Sequence, residues 1–226
     1  MKKLLAFLLI ISLICTLSVN ASAETLLIAP APAARPAYTD ASTIPDYGFA
    51  PVLWASQKSI LLGDSQGTLR PNDPCTRAEF AALLYRLCQA SDIDVSIGEN
   101  TNILSYSDAF DIPEYAFPAL QWACGSGLLT HDGSGALRPN APCTRAELVS
   151  VLYAFALQQG YDVSVGEDTN ILSYTDAFDI PEYAFSALQW ACGAGILKGD
   201  DTGALMPNDP CTRVQALALL YRGFDL

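Results

Sequence analysis

Apolar residues recur three or four positions apart in two stretches, Phe80, Leu83, Leu84 and Leu87, then Leu148, Val151, Leu152 and Phe155. That spacing predicts helices that each bury one stripe. Shorter apolar stretches, each centred on a tryptophan, precede them at Trp54 and Trp122, and a third surrounds Trp190. These predict a first helix starting near Phe49, Ala116 and Ala184, since Pro51 and Pro118 are tolerated only in an opening turn. Polar loops join the paired helices. They carry Gly63-Asp64, Asp132-Gly133-Ser134-Gly135 or Gly199-Asp200-Asp201, followed by Leu69-Arg70-Pro71-Asn72, Leu137-Arg138-Pro139-Asn140 or Leu205-Met206-Pro207-Asn208. Glycines and Pro-Asn steps of this kind fix turns. A different apolar run, Leu4 to Val19, follows Lys2-Lys3 and precedes Ala21-Ser22-Ala23, the layout of a signal peptide cleaved before Glu24.

The pattern repeats at a spacing of 68 residues. Tyr38, Tyr106 and Tyr174 open each unit, the tryptophans follow in register, and Thr76-Arg77, Thr144-Arg145 and Thr212-Arg213 close it. Such periodicity marks an array whose copies bury their apolar faces against one another. The predicted organisation is a signal peptide at 1–23, an Ala/Pro-rich linker at 24–37, repeats with their connectors at 38–105 and 106–173, and a third repeat at 174–226. The fold class is all-α, with three tandem helix-loop-helix repeats. Asp94 to Ser105 and Asp162 to Ser173 are nearly identical and read as ordered connectors.

Composition narrows the function. The formal charge is −12, and removal of Lys2 and Lys3 with the signal leaves 24 acids against 10 bases, or −14. An acidic surface argues against nucleic acid, and it repels an anionic polymer except where individual arginines converge. Six cysteines lie beyond the signal. Cys124 and Cys143, like Cys192 and Cys211, are 19 residues apart. These pairs read either as disulfides or as buried apolar thiols. Cys75 and Cys88 are separated by a helix that would hold them roughly 17 Å apart.

Thr76-Arg77-Ala78-Glu79 and Thr144-Arg145-Ala146-Glu147 fit a helix capping box, and Gln215 can close it in the third copy. Thr and Glu are thereby explained without a ligand, whereas Arg opposes the helix dipole. Two uses remain open for Arg77, Arg145 and Arg213. One is an ion pair with Asp40, Asp108 or Asp176; the other is an anionic ligand bound together with helix N-terminal N–H groups. Trp54, Trp122 and Trp190 read as core or as stacking platforms for sugar.

Taken in order, Tyr-x-Asp, Trp-Ala, a Gly-containing turn, Leu-x-Pro-Asn and Thr-Arg-Ala-Glu resemble the S-layer homology domain family over nearly all of 38 to 226. The resemblance implies a pseudo-threefold bundle of three repeats. It also implies noncovalent anchoring to the cell wall through a pyruvylated secondary cell-wall polysaccharide held in inter-repeat grooves. Carried over, Arg77, Arg145 and Arg213 would engage the acidic group, and Trp54, Trp122 and Trp190 would shape the groove. Gln215 and Met206 in the third copy and His131 in the second depart from the pattern, which favours sites using Arg77 and Arg145 over any using Arg213. The other reading is a surface structural or protein-interaction module without glycan binding.

Catalysis is not expected. His131 is the only histidine, the cysteines lack metal-ligand spacing, and Asp108 with Asp111 or Asp176 with Asp179 suit loops and caps better than acid–base work. No cofactor or metal is expected. The expected location is the cell surface or wall, without membrane insertion once the signal is removed.

Overall fold

The computed structural model describes residues 38–96, 98, 101–130 and 134–224. The predicted signal peptide, the linker and His131 lie outside them. Six helices form three pairs, α1 (Phe49–Gln57) and α2 (Arg77–Ala90), α3 (Phe117–Gly125) and α4 (Arg145–Gln158), α5 (Phe185–Gly193) and α6 (Arg213–Phe224). Short 3₁₀ turns join them, and the described residues contain no extended strand. The predicted all-α fold of three helix-loop-helix repeats is thus the fold observed.

Helix starts follow the sequence signals closely. Thr76 and Thr144 close complete capping boxes with Glu79 and Glu147. Thr212 N donates to Gln215 Oε1 at 2.9 Å and Gln215 N to Thr212 Oγ1 at 3.3 Å, so an amide closes the third box as well.

Pairing in space differs from pairing in sequence. Each first helix packs on the second helix of the preceding repeat, α3 on α2, α5 on α4, and α1 on α6. The tryptophans make these junctions. Trp122 meets Tyr85, Trp190 meets Tyr153 and Trp54 meets Tyr221, with ring centroids 5.6 to 5.7 Å apart. The contact of α1 with α6 closes the ring, so among the described residues each first helix is covered by a second helix of another repeat.

The pseudo-threefold axis is marked by Cys75, Cys143 and Cys211. Cys75 N donates to Cys211 O, Cys143 N to Cys75 O, and Cys211 N to Cys143 O, all at 2.8 to 2.9 Å. Of the two readings left open for Cys124 with Cys143 and Cys192 with Cys211, the disulfides are not formed in this structure, where all six described cysteines are free. The physical reason is position. Cys143 and Cys211 are buried at the axis, whereas Cys124 and Cys192 sit half-buried on the outer helices, hydrogen-bonded to Tyr106 and Tyr174. Ser56 takes the same place beneath Tyr38, at 3.0 Å.

The connectors dock on the helices that follow them. Gln121 Nε2 donates to Thr101 O, and Gln189 Nε2 to Thr169 O, each at 3.0 Å. One turn on, a Cβ at Gly125 would strike Gly98 and Thr101, and one at Gly193 would strike Thr169 and reach 2.9 Å from Val165 O. An Ala for Gly exchange inside a helix ordinarily stabilises by about 0.5–1 kcal/mol. Gly193→Ala is expected to destabilise instead, by roughly 1–3 kcal/mol, because backbone must move. Gly223→Ala in α6, with 3.5 Å to its nearest neighbour, is the control expected to be neutral or stabilising. Urea unfolding of both variants checks the opposite signs.

Candidate functional site

The two halves of each repeat are joined by an aspartate. Asp40 accepts from Leu69 N at 2.8 Å and Arg70 N at 2.7 Å. Asp108 does the same for Leu137 and Arg138, and Asp176 for Leu205 and Met206. The clamp holds Arg70, Arg138 and Met206 at φ of 54°, 50° and 53°, a region that side chains other than glycine seldom occupy. These carboxylates therefore do not pair with Arg77, Arg145 or Arg213. Nor do Asp108 and Asp176 offer free oxygens for acid–base chemistry, being bound to backbone amides.

The arginines cross to the next repeat. Arg77 Nε and Nη2 donate to Leu137 O and Thr130 O, each at 2.8 Å. Arg145 Nε and Nη2 donate to Leu205 O at 2.8 Å and Lys198 O at 3.0 Å. Arg213 Nε reaches round to Leu69 O at 2.8 Å, but its Nη1 contacts Glu79 rather than a second carbonyl. Planar guanidinium donors on fixed carbonyls tie each loop to the preceding helix start.

The helix starts are not open to an anion. Arg77 N and Ala78 N donate to Ala141 O and Pro139 O; Arg145 N and Ala146 N donate to Asp209 O and Pro207 O; Arg213 N and Val214 N donate to Asp73 O and Pro71 O, all at 2.9 to 3.0 Å. The third amide of each helix goes to the cap threonine. Neighbouring loops have consumed the N–H groups that the sequence offered to a ligand.

Between repeats, this arrangement leaves clefts. The first, about 380 Å³, lies between the loop and α2 of the first repeat, with Arg213 from the third repeat and Tyr115 from the second. The third, about 400 Å³, is built in the same way from the third repeat, Arg145 of the second and Tyr47 of the first. Each draws on three repeats, and each falls in the usual size range of small-molecule sites. Tyr183 lies beside Thr144 and Glu147, the corresponding position of the second repeat.

The arrangement revises the predicted site residues. Trp54, Trp122 and Trp190 are 4 to 7% exposed, so their rings belong to the helix junctions and cannot form open stacking platforms. The half-exposed tyrosines Tyr47 and Tyr115 occupy the cleft lips instead. Burial, followed by the nearby Glu79 carboxylate, pushes the Tyr115 phenol up, so it remains a neutral donor. Arg86 and Arg222 also line the clefts, anchored to Ile60 O and Ile196 O. The available sequence signals were an arginine nine residues after Arg77 and Arg213, and a tyrosine two residues after Pro45, Pro113 and Pro181. The second repeat has Ala154 in place of the cleft-wall arginine.

Among the described residues no cluster of three or more His, Cys, Asp or Glu could hold a metal ion, and no helix is long and apolar enough to cross a membrane.

The S-layer homology domain model matches residues 37–81, 105–149 and 173–217. The chain is 29% identical over 167 residues to an amylopullulanase of Thermoanaerobacterium thermosulfurigenes, covering 74% of this chain and 8% of the relative. It is 26% identical over 167 residues to a cellulosome-anchoring protein of Acetivibrio thermocellus, covering 74% of this chain and 35% of that protein. Similarity to the surface-layer 125 kDa protein of Lysinibacillus sphaericus is 26% over 208 residues, covering 89% of this chain and 16% of that one. The chain thus matches only a minor part of each relative's length, and the catalytic names among them belong to much longer proteins.

Proposed function

The chain belongs to the S-layer homology domain family, and from that membership we propose that it anchors noncovalently to the cell wall by taking an anionic, pyruvylated secondary cell-wall polysaccharide into its inter-repeat clefts. The observation that carries this reading is the convergence of arginines on the clefts of an otherwise acidic protein. Arg70, Arg86 and Arg213 meet in the first cleft, and Arg145 and Arg222 in the third. With a formal charge of −12 on the whole chain, long-range attraction to an anionic polymer is absent. Capture then depends on short-range guanidinium contacts within a concave site. The tyrosine at the lip supplies an aromatic face for a sugar ring, the role that the buried tryptophans cannot fill. Export through the 1–23 signal and residence at the cell surface complete the proposal. Catalysis is no part of it.

The test is sedimentation of the purified protein with wall sacculi before and after chemical extraction of secondary polysaccharide. Binding is expected to fall at least about tenfold on extraction. Undiminished binding would instead favour contact with a wall protein. That second reading has its own observation, the phenylalanines Phe110 and Phe178, which are 100% and 99% exposed.

A further inference from the structure

The three repeats are not held in the ring equally, and the first is held least. Phe224 of α6 packs edge-on against Phe155 and Tyr161, with ring centroids 5.3 and 5.5 Å apart, which fastens the third repeat to the second. The residues corresponding to Phe224 are Ala156 in the second repeat and Cys88 in the first. Neither carries a ring that could fasten the first repeat to a neighbour.

The seam between the third and first repeats has two defects of its own. Trp54 meets Tyr221 there, yet Trp54 Nε1 is buried with no hydrogen-bond partner, alone in this among the described residues. Arg77 and Arg145 each reach two carbonyls of the following repeat, whereas Arg213 reaches only Leu69 O and turns Nη1 to Glu79. An ion pair drawn out of water in this way adds little to the seam, because desolvation offsets its attraction.

The first repeat can also leave as a unit. Asp40 ties its two halves together, and Arg86 Nη1 donates to Ile60 O at 3.4 Å, so α1 and α2 move as one body. The connector that follows is docked on α3 through Thr101 and stays with the second repeat. That places the hinge at 91–93. Here Ser91 N and Ile93 N fold back on Leu87 O and Cys88 O at 3.0 and 2.9 Å, and exposed Asp92 is held at φ of 55°. The corresponding residue after α4 is Gly160, at 74°. Glycine takes this left-handed conformation freely and aspartate does not, so the turn leading out of the first repeat is the more strained of the two.

We propose that the first repeat is an exchangeable element: two copies of this chain swap residues 38–90 by straightening the turn at 91–93, and each ring is completed by the first repeat of the other copy. The occupant of the vacated face is set by complementarity, since the first repeat of a second copy remakes the same contacts. Exchange keeps every inter-repeat bond and relaxes two strained turns, at the cost of uniting two chains, so concentration favours it. The first cleft then takes its loop and α2 from one chain, and Arg213 and Tyr115 from the other. One dimer presents two complete rings.

The test is size-exclusion chromatography with light scattering on the purified protein, held concentrated in mild urea and returned to buffer. An equal mixture of isotope-labelled and unlabelled protein is treated together, and the dimer is cross-linked with a carbodiimide and digested for mass spectrometry. Lys198 lines the third cleft with Tyr47 of the first repeat, so its links to acids of that repeat, such as Asp46, report which chain supplies it. A dimer whose fraction rises with concentration is expected, with about half of these links joining a labelled to an unlabelled chain. Asp92→Gly, which copies the turn of the second repeat, should fold and lower the dimer fraction severalfold; Asp92→Val, which resists a positive φ, should raise it. A protein that stays monomeric at every concentration overturns the proposal. So does a dimer whose Lys198 links never mix labels, or a dimer fraction that both Asp92 variants leave unchanged. None of these outcomes touches the wall-binding reading, because a monomer carries the same clefts.

Discussion

Raising the pH above about 9 is expected to unfold the protein steeply. Burial pushes the Cys88, Cys143 and Cys211 thiols up to about 12, and Cys75 is displaced in the same direction. In the unfolded chain these thiols ionise near their ordinary value, whereas the folded state keeps them protonated. The stability they contribute is thus fully present below about pH 9 and is lost as pH rises towards 12. Each thiol costs about 1.4 kcal/mol per pH unit in that window, so the four together remove about 5–6 kcal/mol by pH 10, a large share of a typical domain's stability. Circular dichroism in urea from pH 8 to 10.5 measures the slope. Cys88→Ala should flatten it by about a quarter, whatever it does to stability at pH 8, and an unchanged slope would refute the assignment.

Loss of the Arg145 side chain is expected to be the most damaging single change at a cleft. Its removal leaves Leu205 O and Lys198 O without donors between two repeats and opens space in a nearly closed site. Unmade buried hydrogen bonds of this kind cost about 1–3 kcal/mol each. Arg145→Ala should lose roughly 3 kcal/mol and lower Tm by about 10 °C. Arg145→Lys keeps the charge, but a single ammonium on a flexible stem lacks the planar fork that spans both carbonyls, so it should recover only part of the loss. Thermal unfolding of both variants in parallel checks the order. A wild-type Tm for Arg145→Ala would show that the inter-repeat bonds contribute nothing.

The local structure was largely legible in the sequence. Helical spacing located α2 and α4, proline placement located the first helices within about a residue, and the Thr-x-x-Glu pattern gave the capping boxes that Thr76 and Thr144 form. Residue pairings across repeats were not legible. Arg77 binds carbonyls 53 and 60 residues away, and Arg213 binds one 144 residues back across the ring closure. A repeat in strict register gives the same pattern whether a side chain reaches its own loop or the next one, so the sequence cannot choose between them. The cysteine spacing misled for the same reason. Nineteen residues recur because the unit recurs, while Cys143 turns to the axis and Cys124 to Tyr106.

Tryptophan was ambiguous because burial and sugar stacking ask for the same large aromatic. The difference lay in Tyr85, Tyr153 and Tyr221, which pack against the tryptophans from the preceding repeats. The third copy changes meaning as well. Gln215 reads in sequence as erosion of a motif, yet in space it removes an acid from the cleft that Arg145 enters. What matters at each cleft is therefore a combination of residues from three repeats, which no single copy displays.

That shared construction, in which arginines that tie the repeats together are also proposed as the wall ligands, is tested most directly by sedimentation with intact sacculi at a temperature where all variants remain folded. The wild type is compared with Arg145→Lys, which keeps the charge, and with Arg138→Ala, on the loop of the second repeat. The account predicts that Arg145→Lys loses most wall binding, although Arg145 lies in the second repeat and the cleft it serves belongs to the third, while Arg138→Ala retains it. Full binding by Arg145→Lys, with its fold intact, would contradict the account.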